Sequence, residues 1–403
     1  MSQTTALFVE AYRELNAKKL FWITLVLSLV FAAAIAALGI HEDGISVFWF
    51  QLDFPLNTTV MSEETFYKLV FVNIGRGLWL AWIAAILALV STAQIFPDFI
   101  SGGSIELALS KPISRTRLFL TKYFTGLFFV ALQVAAFSAA CFLVIGLRGG
   151  AWEPALFLAV PLVVIFFSYL FSVCALLGLI TRSTIAALLL TLLFWFIIFV
   201  INSFDAITLS QLTRHELTAQ RTQETIQRTE STLEQRRQQL EDARAALDEG
   251  EPRPSERERV EELERRVNGG EAFLETLDER KRDAEDAADT WRPWYTGGFI
   301  AKTVLPKTGE TVGLLERWLI DLADLDTEGL AQSGADDPVD DNAEALFGPG
   351  NAPTQSGIDQ DQVNQEVQKR YRERSVAWVL GTSLGFELVI LAIACLYFHR
   401  KDF

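Results

Sequence analysis

The sequence has few of the residues that build reactive or metal-binding sites. It contains three cysteines, three histidines and two methionines among 403 residues. Cys141, Cys174 and Cys395 all lie in strongly apolar runs, so no disulfide framework in a loop is indicated. No Cys/His cluster has metal-ligand spacing, and no serine, histidine and acid group forms a nucleophile motif. The phosphate-binding pattern GxxxxGK[ST] is also missing, so the sequence predicts no enzyme, no cofactor held by this chain and no ATP binding by that route.

The chain is acidic overall, but one segment carries the acidity. The formal net charge is −15, and residues 202–375 contain 38 acidic and 22 basic residues, against 12 and 13 in the remainder. An excess of acid argues against nucleic acid as a partner.

Long apolar runs dominate the rest of the chain. A run of about 18 or more residues with almost no charge is typical of a helix that spans a bilayer. The sequence predicts six: Leu20–Ile40, Gly77–Phe96, Phe124–Leu147, Ala155–Ile180, Thr184–Ile201 and Val376–Phe398. The first run could instead be a signal peptide, although it exceeds the usual length of about 7–15 residues. The predicted fold is therefore an all-α membrane protein embedded in the lipid bilayer.

Basic residues in the short loops indicate the orientation. With the N-terminus in the cytoplasm, ten lie inside (Arg13, Lys18, Lys19, Lys111, Arg115, Arg117, Lys122, Arg182, Arg400 and Lys401) and three outside (Lys68, Arg76 and Arg148). The positive-inside rule favours this arrangement. It predicts a multi-pass protein of the plasma (inner) membrane with both termini in the cytoplasm.

The sequence divides into three parts. Residues 1–202 contain the first five spans, preceded by an amphipathic stretch, ALFVEAYRELNAKKL, that favours an interfacial helix over a plain extension of the first span. Residues 203–375 form an insertion on the outside, and residues 376–403 form the sixth span and a cytoplasmic tail. The first outer loop, rich in aromatics, is interpreted as interfacial or as a re-entrant gate.

Heptad spacing organises the insertion. Apolar residues recur at multiples of seven, a pattern typical of a coiled-coil seam: Leu212, Ile226, Leu233, Leu240 and Leu247. A second apolar series follows a Gly- and Pro-containing break. The expected structure is an antiparallel hairpin over about 208–290, which Asn268-Gly269-Gly270 would weaken or bend. An amphipathic helix over about 310–325, an acidic linker over about 326–360 and a polar helix then lead to the last span.

The segment between the second and third spans, residues 97–123, is predicted to form an elbow. A short helix after Gly103 would end before Pro112, which disfavours helix in the preceding residue, and Ser114 would cap the next helix. The alternative is a basic loop that only fixes topology.

This segment resembles the cytoplasmic coupling segment of type 2 ABC transporter permeases. Gly103, Glu106, Leu107 and Leu109, followed by SKPISR and Lys122, carry the resemblance, with Thr121-Lys122 in place of Gly-Lys. The subgroup that includes the nitrous oxide reductase maturation permease is the most similar. The resemblance implies an exporter permease that works with a second permease copy and a cytoplasmic ABC ATPase subunit, which binds the ATP. Residues Gly103, Glu106, Leu107, Leu109, Pro112, Ser114 and Arg115 would then couple the chain to that ATPase.

Two other functions fit the same pattern. The chain could be an ATP-driven mechanical device that acts on an extracytoplasmic partner through the coiled coil, although devices of that kind insert their outer domain after the first span. It could also be a membrane-anchored coiled-coil scaffold, for which the coupling segment would have no use.

Glu387 is an acid near the middle of the sixth predicted span, where a charge costs about 2.5–3.5 kcal/mol. It is either a functional group facing a cavity or a protonated or hydrogen-bonded packing residue. Gln133, Ser168 and Ser172 are its expected partners.

Overall fold

The computed structural model describes residues 13, 19–41, 44–48, 50–52, 63–101, 114–150, 152–248, 253–323 and 360–400. The predicted interfacial helix at the N-terminus, most of the coupling segment and the acidic linker lie outside these residues. The described part is mostly helical, as predicted.

Within these ranges, six helices are long and apolar enough to cross a membrane, which confirms the six predicted spans. The first is α1 (Lys19–Ala36), and the second contains α2 (Glu63–Val70), a π-helical segment (Phe71–Ala84), α3 (Ala85–Thr92) and α4 (Ile95–Ser101). The third is α5 (Arg115–Arg148). The fourth is a 3₁₀ turn (Pro154–Leu158) followed by α6 (Ala159–Thr181). The fifth is the first part of α7 (Thr184–Asp248), and the sixth is α11 (Val376–Arg400).

A small antiparallel sheet follows the first span. Its strands are β1 (Leu38–His41), β2 (Gly44–Val47) and β3 (Phe50–Leu52), in the order β1-β2-β3. The first span was predicted to reach Ile40, but α1 ends at Ala36, because the chain continues as β1 paired with β2. A Cβ at position 39 would lie 2.7 Å from the Ser46 hydroxyl oxygen, so a larger residue there would require the Ser46 side chain to move. Within the described residues, this small sheet is an addition to the predicted all-α fold.

Hydrogen bonds fix the sheet to neighbouring spans. The Tyr67 hydroxyl donates to the Leu38 carbonyl at 2.7 Å, and the Arg148 guanidinium donates to the same carbonyl at 3.1 Å. Strand β1, which follows the first span, is therefore attached to α2 and α5.

The described chain forms two compact units. The membrane unit consists of residues 1–202, 301–325 and 374–403, and the second unit consists of 203–300 and 326–373. Helix α9 (Thr308–Ala323), predicted over about 310–325 in the insertion and either on the outer membrane face or against the protein, belongs to the membrane unit. The reason is its apolar face, since Val312, Leu314 and Leu315 are buried in the same hydrophobic core as the spans.

The second unit contains a long helical hairpin. Its arms are α7 from residue 203 and α8 (Pro254–Val304) up to residue 300. Apolar residues from both arms share a buried seam: Leu233, Leu240, Val260, Leu263 and Val267. Two ion pairs at 2.6 Å, Arg237–Glu271 and Arg244–Glu264, join the arms, and the numbering falls on α8 as it rises on α7. The arms are therefore antiparallel, as the heptad pattern predicted.

The returning arm is longer than predicted. Helix α8 passes through Asn268-Gly269-Gly270 and Pro293 and ends at Val304, not near residue 290. Packing against α7 compensates for these weak helix formers, since Phe273 and Leu277 are buried against Ile226.

A third helix joins the hairpin. Helix α10 (Gln360–Glu373) buries Val363 completely and pairs Arg370 with Glu216 at 2.7 Å. Glu216 also lies 3.8 Å from Arg292 of the returning arm. One carboxylate thus links three helices of this unit.

Candidate functional site

The C-terminal side of the coupling segment begins the third span. Ser114 has extended backbone angles, and its hydroxyl accepts a hydrogen bond from the Arg117 amide at 3.3 Å. This contact satisfies one of the free N–H groups at the start of α5, so Ser114 is the N-cap that the sequence indicated. Arg115 donates to the His399 carbonyl at 3.2 Å, near the end of α11. The other coupling residues, Gly103, Glu106, Leu107, Leu109 and Pro112, lie outside the described residues.

An aromatic cluster joins the two flanks of the coupling segment to the last span. Phe96 and Phe99 come from α4, Phe119 from α5 and Phe398 from α11. The ring centroids are 5.0 Å apart for Phe96–Phe119, 6.1 Å for Phe119–Phe398 and 6.4 Å for Phe99–Phe398. The ammonium group of Lys122 lies 5.4 Å from the centre of the Phe99 ring. The second, third and sixth spans therefore meet where the coupling segment leaves and re-enters the helices.

The Glu387 carboxyl lies at the junction of three spans. It is 7% exposed, and both of its oxygens accept hydrogen bonds. The Tyr123 hydroxyl of α5 donates to Oε1 at 2.8 Å, and the Ser168 hydroxyl of α6 donates to Oε2 at 2.7 Å. Among the described residues, no cation lies at ion-pair distance from this carboxyl. Glu387 is therefore held by hydroxyl groups alone.

Each hydroxyl has a second acceptor on the backbone. Tyr123 Oη lies 3.0 Å from the Ser168 carbonyl, and Ser168 Oγ lies 2.8 Å from the Ile165 carbonyl. A hydroxyl carries one proton, so it can turn from the carboxyl to the backbone when the carboxyl itself brings a donor. The arrangement can accommodate Glu387 with or without its proton.

The partners of Glu387 were predicted in part. Ser168 is one of the three residues named from the sequence. Ser172 instead donates to the Tyr169 carbonyl at 2.8 Å, and Gln133 lines a cleft elsewhere in the unit. The sequence analysis missed Tyr123, because it considered that position only as the end of a basic segment. Phe171 holds the Tyr123 ring in place by stacking on it at 5.2 Å.

Replacement of Glu387 separates packing from charge. In Glu387→Gln, the amide oxygen accepts a hydrogen bond from one hydroxyl. The amide NH₂ donates to the other hydroxyl, which then donates its own proton to its backbone carbonyl. We therefore expect an unchanged melting temperature in detergent. Glu387→Leu removes both hydrogen bonds between the spans. Each such bond contributes about 0.6–1.7 kcal/mol in a membrane, so the free energy of unfolding should fall by about 1–3 kcal/mol.

Fluorescence-detected thermal unfolding of the two variants checks this prediction. A glutamine variant as unstable as the leucine variant would contradict the packing role. A stable glutamine variant that no longer stimulates a partner ATPase would instead assign the charge a function.

A second buried polar cluster lies between α8, α9 and α11. Glu310 pairs with Lys302 at 2.7 Å and with Arg374. Arg76 of the π-helical segment pairs with Glu316 at 2.8 Å. These contacts attach α9 to the second span and to the start of the sixth, an arrangement that the sequence analysis did not predict.

Lys307 is the completely buried member of this cluster. Its ammonium group donates to the Thr303 carbonyl at 3.2 Å and to the Thr382 hydroxyl at 2.5 Å, and it lies 4.3 Å from the centre of the Trp378 ring. Burial lowers the pKa of Lys307 to about 8; nearby Glu310 opposes this shift, and the neighbouring cations Lys302 and Arg374 add to it. Within the described residues, Lys307 has no carboxylate at ion-pair distance.

The described residues contain no group of three or more His, Cys, Asp or Glu side chains that could hold a metal ion. The groups that connect the helices are hydroxyl, carboxyl, ammonium, guanidinium and aromatic side chains.

Comparison with known proteins identifies the family. Neither the curated proteins nor the solved structures contain a match to this chain. The family model described as ABC-2 family transporter protein matches residues 7–242, which include the first five spans, the coupling segment and most of the first hairpin arm. That match covers more than half of the 403 residues. The chain belongs to the ABC-2 family of transporter proteins and is a membrane component of an ABC transporter.

Proposed function

We propose that this chain is the permease subunit of an ATP-driven exporter and that residues 97–123 dock on a separate cytoplasmic ATPase. The family match over residues 7–242 is the observation that carries the proposal. The packing of Phe96, Phe119 and Phe398 supports it. Through these ring contacts, a displacement of the coupling segment would be transmitted to the second, third and sixth spans together. The similarity to the nitrous oxide reductase maturation subgroup belongs to the same proposal.

Two permease copies and two ATPase subunits would make the complete transporter. The transport path would lie between the spans of the two permeases, in the plasma (inner) membrane. The ATP and its hydrolysis would belong to the partner, since this sequence lacks a phosphate-binding loop.

Co-purification tests the proposal directly. A tagged chain extracted in mild detergent from its native membranes should bring down an ABC ATPase in a one-to-one ratio. ATP hydrolysis by that ATPase should change when the permease is present. A chain that purifies alone, and leaves the activity of every ABC ATPase of the same cell unchanged, would contradict the proposal.

The proposed topology places both termini in the cytoplasm and the hairpin outside. The excess of basic residues in the predicted inner loops supports this orientation. A second candidate function depends on the same topology: the hairpin would act mechanically on an extracytoplasmic partner. One observation favours it, because the fifth span and the first hairpin arm are a single uninterrupted helix, Thr184–Asp248.

Cysteine labelling checks the topology. Ala245 and Glu262 are exposed on the two arms, and cysteines placed there should react with a membrane-impermeant maleimide in intact cells. Arg400→Cys is the matched control and should react only after permeabilisation. The native Cys141 and Cys174 are buried, and the half-buried Cys395 is replaced by alanine in all variants. The reverse pattern would overturn the orientation.

A further inference from the structure

The turn between β2 and β3 has an unusual residue for its geometry. Val47 pairs with Phe50, so only two residues join the strands. A hairpin turn of this length favours a positive φ at its first central residue, where Asn, Asp and Gly are preferred. Phe48 occupies this position with a φ of 57°. A bulky side chain is unfavourable in the left-handed region, so the chain has a residue here that its own turn geometry disfavours.

The aromatic rings at this turn gain little from burial within the chain. Phe48 is 66% exposed and Phe50 is 67% exposed. A local rule that a sequence breaks without an evident gain in packing is expected at functional positions. The compensation for the unfavourable residue should therefore come from the surroundings of the turn.

The order of the strands places this turn beside the end of the first span. Helix α1 ends at Ala36, β1 leads away from that end, and β2 returns along β1. The Phe48 amide consequently donates to the Ala37 carbonyl at 2.7 Å. Arg148, the last residue of the third span, donates to the Ala36 and Leu38 carbonyls. The aromatic turn thus lies at the level where two spans end, which is the boundary of the apolar part of the protein.

The two ends of the sheet differ in polarity. At the end far from the first span, His41 pairs with Gly44, and the two residues between them in the sequence are the acids Glu42 and Asp43. Aromatic residues are enriched at membrane–water interfaces, whereas carboxylates are costly inside a bilayer. The aromatic end of the sheet therefore suits a lipid interface, and the acidic end suits water.

We propose that Phe48 and Phe50 anchor the sheet in the lipid interface of the leaflet where the first span ends. In the proposed topology this is the outer leaflet. The insertion is shallow, because β1 and β3 are edge strands and the hydrocarbon core cannot satisfy unpaired backbone groups. Of the two interpretations of this loop from the sequence, the proposal selects the interfacial one over the re-entrant gate. It concerns the chain itself and does not depend on the ATPase.

Fluorescence depth measurements on the full-length chain in lipid nanodiscs test the anchor. A single cysteine replaces Phe48 or Phe50 in the Cys395→Ala chain, whose other two cysteines are buried, and carries an environment-sensitive fluorophore. The lipids carry a nitroxide quencher either near the headgroup or near the end of the acyl chain. We expect both positions to be quenched most by the nitroxide near the headgroup.

Two further labelled positions calibrate the depth. Val26→Cys lies on an exposed part of α1, about 15 Å along the helix from Ala36, and should be quenched most by the deep nitroxide. His41→Cys lies about 10 Å along β1 from Leu38 and should be quenched weakly by both lipids. Thermal unfolding shows that each labelled chain is folded.

The variant Phe48→Asn separates the ring from the turn. Asparagine tolerates a positive φ, so the turn is kept and only the aromatic side chain is lost. We expect no fall in the melting temperature in detergent, whereas a label at position 50 should lose most of its quenching by the shallow nitroxide. Phe124→Asn is the matched control, because it removes an exposed ring from α5 and should leave that label unchanged.

Four results would overturn the proposal. A label at Phe50 as accessible to water as one at His41 would show that the turn does not enter lipid. Quenching by the deep nitroxide equal to that at Val26 would indicate a re-entrant segment. A label shielded from both water and lipid would indicate that a second copy of the chain covers the turn. Unchanged depth at position 50 in Phe48→Asn would show that this ring does not hold the sheet in the membrane.

Discussion

A chain in which Leu107 and Leu109 are both replaced by aspartate is expected to insert into the membrane and to lose its ATPase partner. In the proposed docking contact these leucines would form the apolar part, and Glu106 and Arg115 would be polar contacts. Truncation of a hot-spot residue at an interface costs about 2 kcal/mol or more, and a buried carboxylate without a partner costs further free energy. The two changes together should weaken the association by a factor of about 100 or more.

Co-purification of the ATPase with the tagged double variant measures this effect. The control is Ala245→Asp with Ala246→Asp, which adds the same two charges on exposed positions of the hairpin. The control should keep the ATPase at the level of the unchanged chain. Equal recovery of the ATPase with the Leu107/Leu109 variant would show that the partner docks elsewhere.

Periodicity and length were sufficient to predict most of the helices. Each apolar run became a spanning helix, because backbone groups in a bilayer must be satisfied within the segment. The hairpin followed from Leu233 and Leu240 at heptad spacing, since two amphipathic arms can bury their seams only against each other. Local patterns carry this information, so the sequence alone reveals it.

Contacts between distant segments were the part that could not be predicted. Gly39 lies in β1, where the sequence predicted the end of the first span, and β2 and β3 lie in a loop interpreted as interfacial or as a re-entrant gate. The Leu38 carbonyl of β1 accepts hydrogen bonds from Tyr67 and Arg148, which lie far along the chain. Helix α9 has an amphipathic pattern, but the pattern does not say which surface covers it. Glu387 was recognised from its depth in an apolar run, whereas Tyr123 could be recognised as its partner only once α5 and α11 were side by side.

The contacts of Lys307 could not be predicted from the sequence either, because no local pattern indicates that this lysine is buried. It follows the last turn of α8, where carbonyl groups have no partners within the helix, and its ammonium group donates to the carbonyls of Thr303 and Leu305. Its backbone amide donates to the Ser383 hydroxyl at 2.9 Å. Lys307 thus connects the end of α8 to the sixth span. This connection requires burial of an amine in a site that already holds two other cations.

Stability should therefore depend on pH through Lys307. Its pKa is lowered to about 8 in the folded chain, from the ordinary value of 10.5. Between these two values the unfolded chain binds more protons than the folded chain at this position, so the contribution of Lys307 to stability rises as pH increases from about 8 to 10.5. Lys307→Met removes this titration together with the hydrogen bonds to the helix end. We expect the variant to lose the rise and to be less stable than the unchanged chain at high pH, by about 1–3 kcal/mol. The deficit should shrink towards pH 7, where the unchanged chain carries a buried charge.

Thermal unfolding of both proteins from pH 7 to 10 measures the difference in stability. Lys369→Met, at an exposed lysine, is the control, and its difference from the unchanged chain should not vary with pH. A deficit for Lys307→Met that is constant over this range would mean that Lys307 does not titrate there.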